Sequence, residues 1–169
     1  MRSEELEFDF DRTEAGASAT YPQKAGKLHK GDVAMLKGRP CKILNTSTSQ
    51  TGKHGHAKVH FWGTDLFTAK KYEELCQSAH DIEVPFVKRA ECTVSMLDER
   101  SGAVSVILTS GEIKSDLNLP AFVRMGEPTE DDLKLQVEVI EAYNAGKIVD
   151  VVVLTACGEE KIVAAKFTD

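Results

Sequence analysis

Residues 47–61 read STSQTGKHGHAKVHF, a polar stretch between two apolar runs in which lysine, histidine and glycine are concentrated. Gly52 and Gly55 bracket Lys53 and His54, so the backbone can turn sharply on either side of the lysine. No bulky apolar side chain lies between residues 46 and 58, and nothing there draws Lys53 toward a core. About ten residues join the flanking strand runs, longer than the two to five of a usual hairpin, and loops of that kind tend to carry function. An exposed amine on a four-carbon stem can contact phosphate as a point charge or accept a covalent group.

Several other chemistries can be weighed on the same residues. A phosphate-cradling loop requires glycine where Ser47 stands and a hydroxyl residue where His54 follows Lys53, so that pattern fails at both ends. His54, His56 and His60 have spacing that suits strand-borne metal ligands, but Lys53 and Lys58 would repel a cation. Cys41, Cys76, Cys92 and Cys157 form no C-x-x-C pair and read as reduced, buried thiols, none in a recognisable nucleophile context. On the residues alone, a basic loop contacting RNA phosphate stays open beside a metal-dependent alternative.

The elements that must position this loop read as short strands. Val33–Leu36, Cys41–Leu44 and the alternation of Lys58, Val59, His60 and Phe61 suggest strands, with turns at Gly38-Arg39-Pro40 and Gly63-Thr64-Asp65. Lys70–Cys76 suggests a helical turn. These elements make residues 18–88 a small barrel. Residues 89–169 repeat the pattern: strands at 92–97 and 103–108, turns at 98–102 and 109–111, then two closing strands at 147–155 and 161–167. Between them a helix follows Thr129, a suitable N-cap before Glu130, Asp131 and Asp132. Leu133, Val137 and Ile140 are spaced for its apolar face, although alternation over 135–139 also fits a strand. Strands with one helix before the last two are what an OB-type barrel needs.

Net charge is −6 over 169 residues, but it is unevenly spread. Residues 1–17 carry −4, residues 18–89 carry +6 and residues 90–169 carry −8. The first segment reads as a disordered acidic arm, and the basic middle section can approach phosphates. The acidic start offers no apolar stretch for a secretory leader, and no run approaches the roughly 20 apolar residues that cross a bilayer. A non-membrane, intracellular protein is expected.

Thr51-Gly52-Lys53-His54-Gly55-His56-Ala57-Lys58-Val59-His60 closely resembles the hypusine loop of the eukaryotic translation initiation factor 5A family, relatives of bacterial elongation factor P. Gly38–Ile43, Phe67-Thr68, Lys70–Glu73 and Ala15–Thr20 extend the likeness; beyond residue 89 it rests on Leu119-Pro120, Tyr143 and Gly146. Gln50 departs from the family's lysine, Trp62 from a smaller apolar residue and Ala69 from a glycine, and the segment between Pro120 and Leu133 is longer.

The resemblance implies a mainly β fold, an SH3-like barrel followed by an OB-fold with one helix. It implies that Lys53 receives an aminobutyl group from spermidine and is then hydroxylated to hypusine by deoxyhypusine synthase and deoxyhypusine hydroxylase, with no other cofactor and no metal. It further implies that the chain is no enzyme but a factor that binds the ribosome near the exit site. There the modified lysine would reach the acceptor end of peptidyl-tRNA, to assist peptide-bond formation at stalling sequences such as consecutive prolines and to assist termination. Thr51, Gly52, His54, Gly55, His56 and Lys58 would shape the loop for RNA and the modifying enzymes, with Gln50, Lys70 and Lys71 as weaker RNA contacts. A cytoplasmic protein is implied, with a nuclear pool allowed.

Overall fold

The structure, a computed structural model, describes residues 19–50 and 57–169. The chain divides into two compact units, one reaching Phe86 and including the turn Ala156–Gly158, the other comprising Val87–Thr155 and Glu159–Asp169. Both are built of antiparallel strands.

In the first unit β1 (Thr20–Lys24) pairs with β6 (Asp81–Pro85). A four-stranded sheet runs β2 (Val33–Leu36), β3 (Arg39–Gln50), β4 (Ala57–Asp65) and β5 (Lys71–Gln77), each beside the next. A single 3-10 turn, Ala25–Lys27, follows β1, and β2 approaches β6 so that the sheets curl around one core. Ala34, Leu36, Cys41, Ile43, Val59, Phe61, Ile82 and Val84 fill it, small and branched side chains that pack on pleated surfaces.

Three expectations for this unit are corrected. The first turn is Lys37-Gly38, both at positive φ (51° and 81°), and Arg39 already pairs with Leu36 as part of β3. Gly63-Thr64-Asp65 is not a turn but the end of β4. Gly63 is there because strands crowd it: a Cβ would lie 2.6 Å from Leu36 Cδ1 and 2.9 Å from the Lys42 carbonyl oxygen. The turn falls at Leu66–Ala69 instead. Residues 71–77 form β5 and not a helical turn, because the free edge of β4 takes them up, Lys58 opposite Gln77 through Thr64 opposite Lys71.

The second unit runs β7 (Lys88–Leu97), β8 (Ala103–Ile107), β9 (Ile113–Asn118), α1 (Glu130–Asn144), β10 (Ile148–Ala156) and β11 (Glu159–Thr168). Sheet order is β11-β10-β7-β8-β9. The end strands meet, and Lys114 of β9 reaches Glu160 of β11 at 3.0 Å. A five-stranded closed sheet with a helix between its third and fourth strands is an OB-fold.

Thr129 caps α1 in a full capping box: its Oγ1 accepts from the Asp132 amide at 3.0 Å, and Asp132 Oδ2 accepts from the Thr129 amide at 3.0 Å. Gly146 (φ 80°) ends it, with its amide on the Tyr143 carbonyl and the Lys147 amide on Ala142, a Schellman closure. Of the expected apolar face only Ile140 packs against the core. Leu133 and Val137 are 49 % and 54 % exposed, while Val139 and Ala142 are buried with Leu135, Ile140 and Tyr143 packed beside them. Leu135, Val139 and Ala142, spaced i, i+4 and i+7, form the stripe that packs on the barrel, and Asp132 on the same side holds Lys161 of β11 at 2.9 Å. Among the described residues no helix is long and apolar enough to cross a membrane.

Candidate functional site

The site is best built from the root of the β3–β4 hairpin outward. At the root, Asp65 is only 2 % exposed. It accepts from Arg39 Nε at 2.6 Å and Nη2 at 3.2 Å, and from the backbone amides of Phe67 and Thr68. Burial alone would raise its pKa, but the Arg39 bond and the two amides outweigh it and hold the carboxyl below the usual carboxylate value. A satisfied, forked ion pair therefore fixes both strands where they leave the barrel.

Along the hairpin, core packing gives way to solvent. On β4, Val59, Phe61, Gly63 and Asp65 point inward, and Lys58, His60, Trp62 and Thr64 line the outer face. On β3, residues 47–50 are exposed. A bulge between Ile43 and Asn45 breaks the register, and from there pairing runs without interruption, Asn45 opposite Trp62 to Gln50 opposite Ala57. The strands therefore extend further than the sequence suggested, with described pairing as far as Gln50 and Ala57.

The far end of the frame is anchored as well. The Ala57 carbonyl accepts from the Ser78 amide at 2.8 Å, and the Ser78 carbonyl accepts from the Gly26 amide at 3.0 Å. Ala57 is thus held by β3 on one side and by the segment after β5 on the other, with the 3-10 turn beneath.

Of the residues named from sequence, Thr51, Gly52, Lys53, His54, Gly55 and His56 lie outside the described residues. Gln50 and Lys58 stand on the strands that enter and leave that segment; Gln50 is exposed and Lys58 half-buried between Ser49 and Gln77. Lys70 and Lys71 belong to the opposite end. Lys71 pairs with Thr64, seven residues along β4 from Ala57, a separation of about 20 Å at strand rise. The Lys70 ammonium sits 5.4 Å above the Tyr72 ring, so part of its charge is engaged locally. The structure therefore groups Gln50 and Lys58 and sets Lys70 and Lys71 apart from them.

Of the proposed histidine metal trio only His60 is described. It lies 2.8 Å from Glu73 Oε1 and stacks flat on Trp62, with ring centroids 3.9 Å apart at 6°. This stack is not among the features expected from the sequence. The signal lay in the i, i+2 spacing of two aromatic rings on one strand face, and in Trp62 being the unusual residue of the stretch.

Cys41, Cys76 and Cys92 do not resemble nucleophiles. Burial, with the nearby Asp65 charge, pushes the Cys41 thiol up to about 11, and burial likewise raises Cys76 and Cys92, whereas a reactive thiol needs the opposite shift.

Known proteins align with this geometry over nearly the whole chain. Residues 18–80 match the family model described as "Translation initiation factor 5A-like, N-terminal", and residues 86–166 match "Eukaryotic elongation factor 5A hypusine, DNA-binding OB fold". The chain is 44 % identical over 160 residues to eukaryotic translation initiation factor 5A-2 of Arabidopsis thaliana, covering 95 % of this chain and 94 % of that protein. It is 42 % identical over 162 residues to eukaryotic translation initiation factor 5A of Drosophila melanogaster, covering 96 % and 94 %.

Among solved structures, the translation initiation factor 5A family protein of Naegleria fowleri superposes with a TM-score of 0.79 at 43 % identity, covering 88 % of this chain and 99 % of the other. The translation initiation factor 5A of Methanococcus jannaschii gives 0.62 at 26 %, covering 88 % and 96 %. With both units matched in order and identity above 40 % along most of its length, the chain belongs to the translation initiation factor 5A family, a family of translation factors characterised by hypusine.

Proposed function

We propose that this chain is a ribosome-binding translation factor whose effector is Lys53 carrying hypusine. Deoxyhypusine synthase transfers the aminobutyl group of spermidine to the Lys53 amine, breaking its bond to the secondary nitrogen and releasing 1,3-diaminopropane, and deoxyhypusine hydroxylase then adds the hydroxyl with oxygen from O2. The chain is the substrate of those enzymes and is itself no catalyst. The observation that carries this reading is the β3–β4 ladder, locked at its root by Arg39 and Asp65 and paired as far as Gln50 and Ala57. A frame of this kind holds the two ends of the segment that carries Lys53 at a defined place.

On the ribosome, near the exit site, the lengthened side chain supplies reach and a second positive charge in surroundings rich in phosphate. It holds the acceptor end of peptidyl-tRNA in a reactive position, and the ribosome performs the bond chemistry. Sequences that react poorly, such as consecutive prolines, gain most, and termination gains similarly. Gln50 and Lys58 are the described residues that contact RNA nearest the loop; Lys70 and Lys71 contribute only general charge. A cytoplasmic location follows from this role.

Lys53→Arg tests the reading. It keeps one charge but cannot accept the aminobutyl group. Expressed as the sole copy in its native cell, it is expected to leave the protein folded and abolish read-through of a consecutive-proline reporter. Normal read-through by the arginine variant would remove Lys53 from the mechanism.

A further inference from the structure

The outer face of β3, β4 and β5 has a feature that the loop does not use. Along β4 it presents Lys58, His60, Trp62 and Thr64 in a row, successive members about 7 Å apart. The middle two are aromatic and lie parallel. Trp62 is the one tryptophan of the chain. It stands on the solvent side of a strand whose core side is already filled by Val59 and Phe61, so the barrel does not need it for packing.

The His60–Glu73 hydrogen bond is made at a ring nitrogen and so fixes the imidazole from its edge; Trp62 covers one imidazole face, and the hydrogen bond does not occupy the other. His60 keeps 36 % of its side chain exposed, and Leu75, opposite it on β5, is 57 % exposed. Lysines flank the row at both ends: Lys58 two residues before His60, and Lys42 and Lys71 on either side of Thr64. The face carries one acidic side chain beside the rings, Glu73, and it is occupied with His60.

We propose that this face binds an unpaired RNA base, which stacks on the His60–Trp62 pair while the lysines at either end take the neighbouring phosphates. A planar platform between cations is how sequence-tolerant single-strand sites are made, because every base has a stacking face and every linkage a charge. Flat rings and flanking lysines favour RNA over a protein partner, which would have left this row more apolar and less charged. The inference rests on the chain being an RNA-contacting translation factor, and gives it a second point of grip along the same hairpin.

Because the chain has one tryptophan, its fluorescence reports this ring alone. The full-length protein is titrated with a short single-stranded oligoadenylate and, in parallel, with an abasic strand carrying the same number of phosphates. Saturable quenching by oligoadenylate and none by the abasic strand is expected. In a companion anisotropy titration, Trp62→Leu should bind labelled oligoadenylate about 10-fold more weakly and the abasic strand as before, the loss of one base–aromatic stack.

Oligoadenylate that binds without quenching, or binds Trp62→Leu equally well, would show that phosphate alone is gripped and would overturn the proposal. So would a failure of oligoadenylate to bind. Neither result touches the role of Lys53, which is judged on its modification. The quenching measurement needs no variant, so it stands even if Trp62→Leu folds poorly.

Discussion

Single residues carry three consequences. Ala69 occupies a left-handed conformation (φ 63°) in the β4–β5 turn, where its amide donates to the Asp65 carbonyl. An alanine there is strained by about 1 kcal/mol relative to glycine, so Ala69→Gly should stabilise the first unit by about that much in urea unfolding. Asp65→Asn should cost about 3 kcal/mol, since it leaves Arg39 without its buried counter-charge. Because the folded-state pKa of Asp65 is lowered, its contribution is present above the unfolded carboxylate pKa and lost as pH falls through the folded one. The wild type should therefore lose stability on acidification more steeply than the asparagine variant. Cys41, buried and pushed up to about 11, should resist alkylation at pH 8 until the protein unfolds.

At the scale of elements, much of α1 was legible and its orientation was not. Thr129, the acidic first turn and Gly146 are local signals, and local signals set where a helix starts and stops. Two stripes, Leu133 with Val137 and Leu135 with Val139 and Ala142, both have helical spacing, and only packing against the barrel chooses between them. Leu133→Lys should accordingly change stability by less than about 0.5 kcal/mol, while Val139→Lys should prevent folding of the second unit, read by urea titration. Similarly, β3 and β4 are legible from their alternation, but β5 is not, because the edge that recruits it is a tertiary fact. Gly63 looked like a turn residue and is a close-approach residue, a distinction that only Leu36 packed against it reveals. The His60–Trp62 stack was hidden for another reason: both residues were visible, but their face became clear only with the strand register.

At the scale of the molecule, the two units divide the chemistry. The first holds the basic surplus and the hairpin. The second, with a net charge of −8 over residues 90–169, is a closed OB barrel whose acidity disfavours a general single-strand groove. The contiguous motif from Thr51 to His60 identified the family because it is long and unusual in composition, whereas the later strands carried mainly shape. All of these elements bear on one position. The root ion pair, the ladder from Asn45 to Gln50 and the anchored Ala57 together hold the ends of the segment that contains Lys53, and the account stands on what is attached to that amine.

The most direct measurement is therefore peptide mass spectrometry across residues 43–58 of protein isolated from its native cell. A mass addition matching hypusine on Lys53 is the predicted result. An unmodified Lys53 in native material would contradict the account and leave a basic hairpin on an RNA-binding barrel.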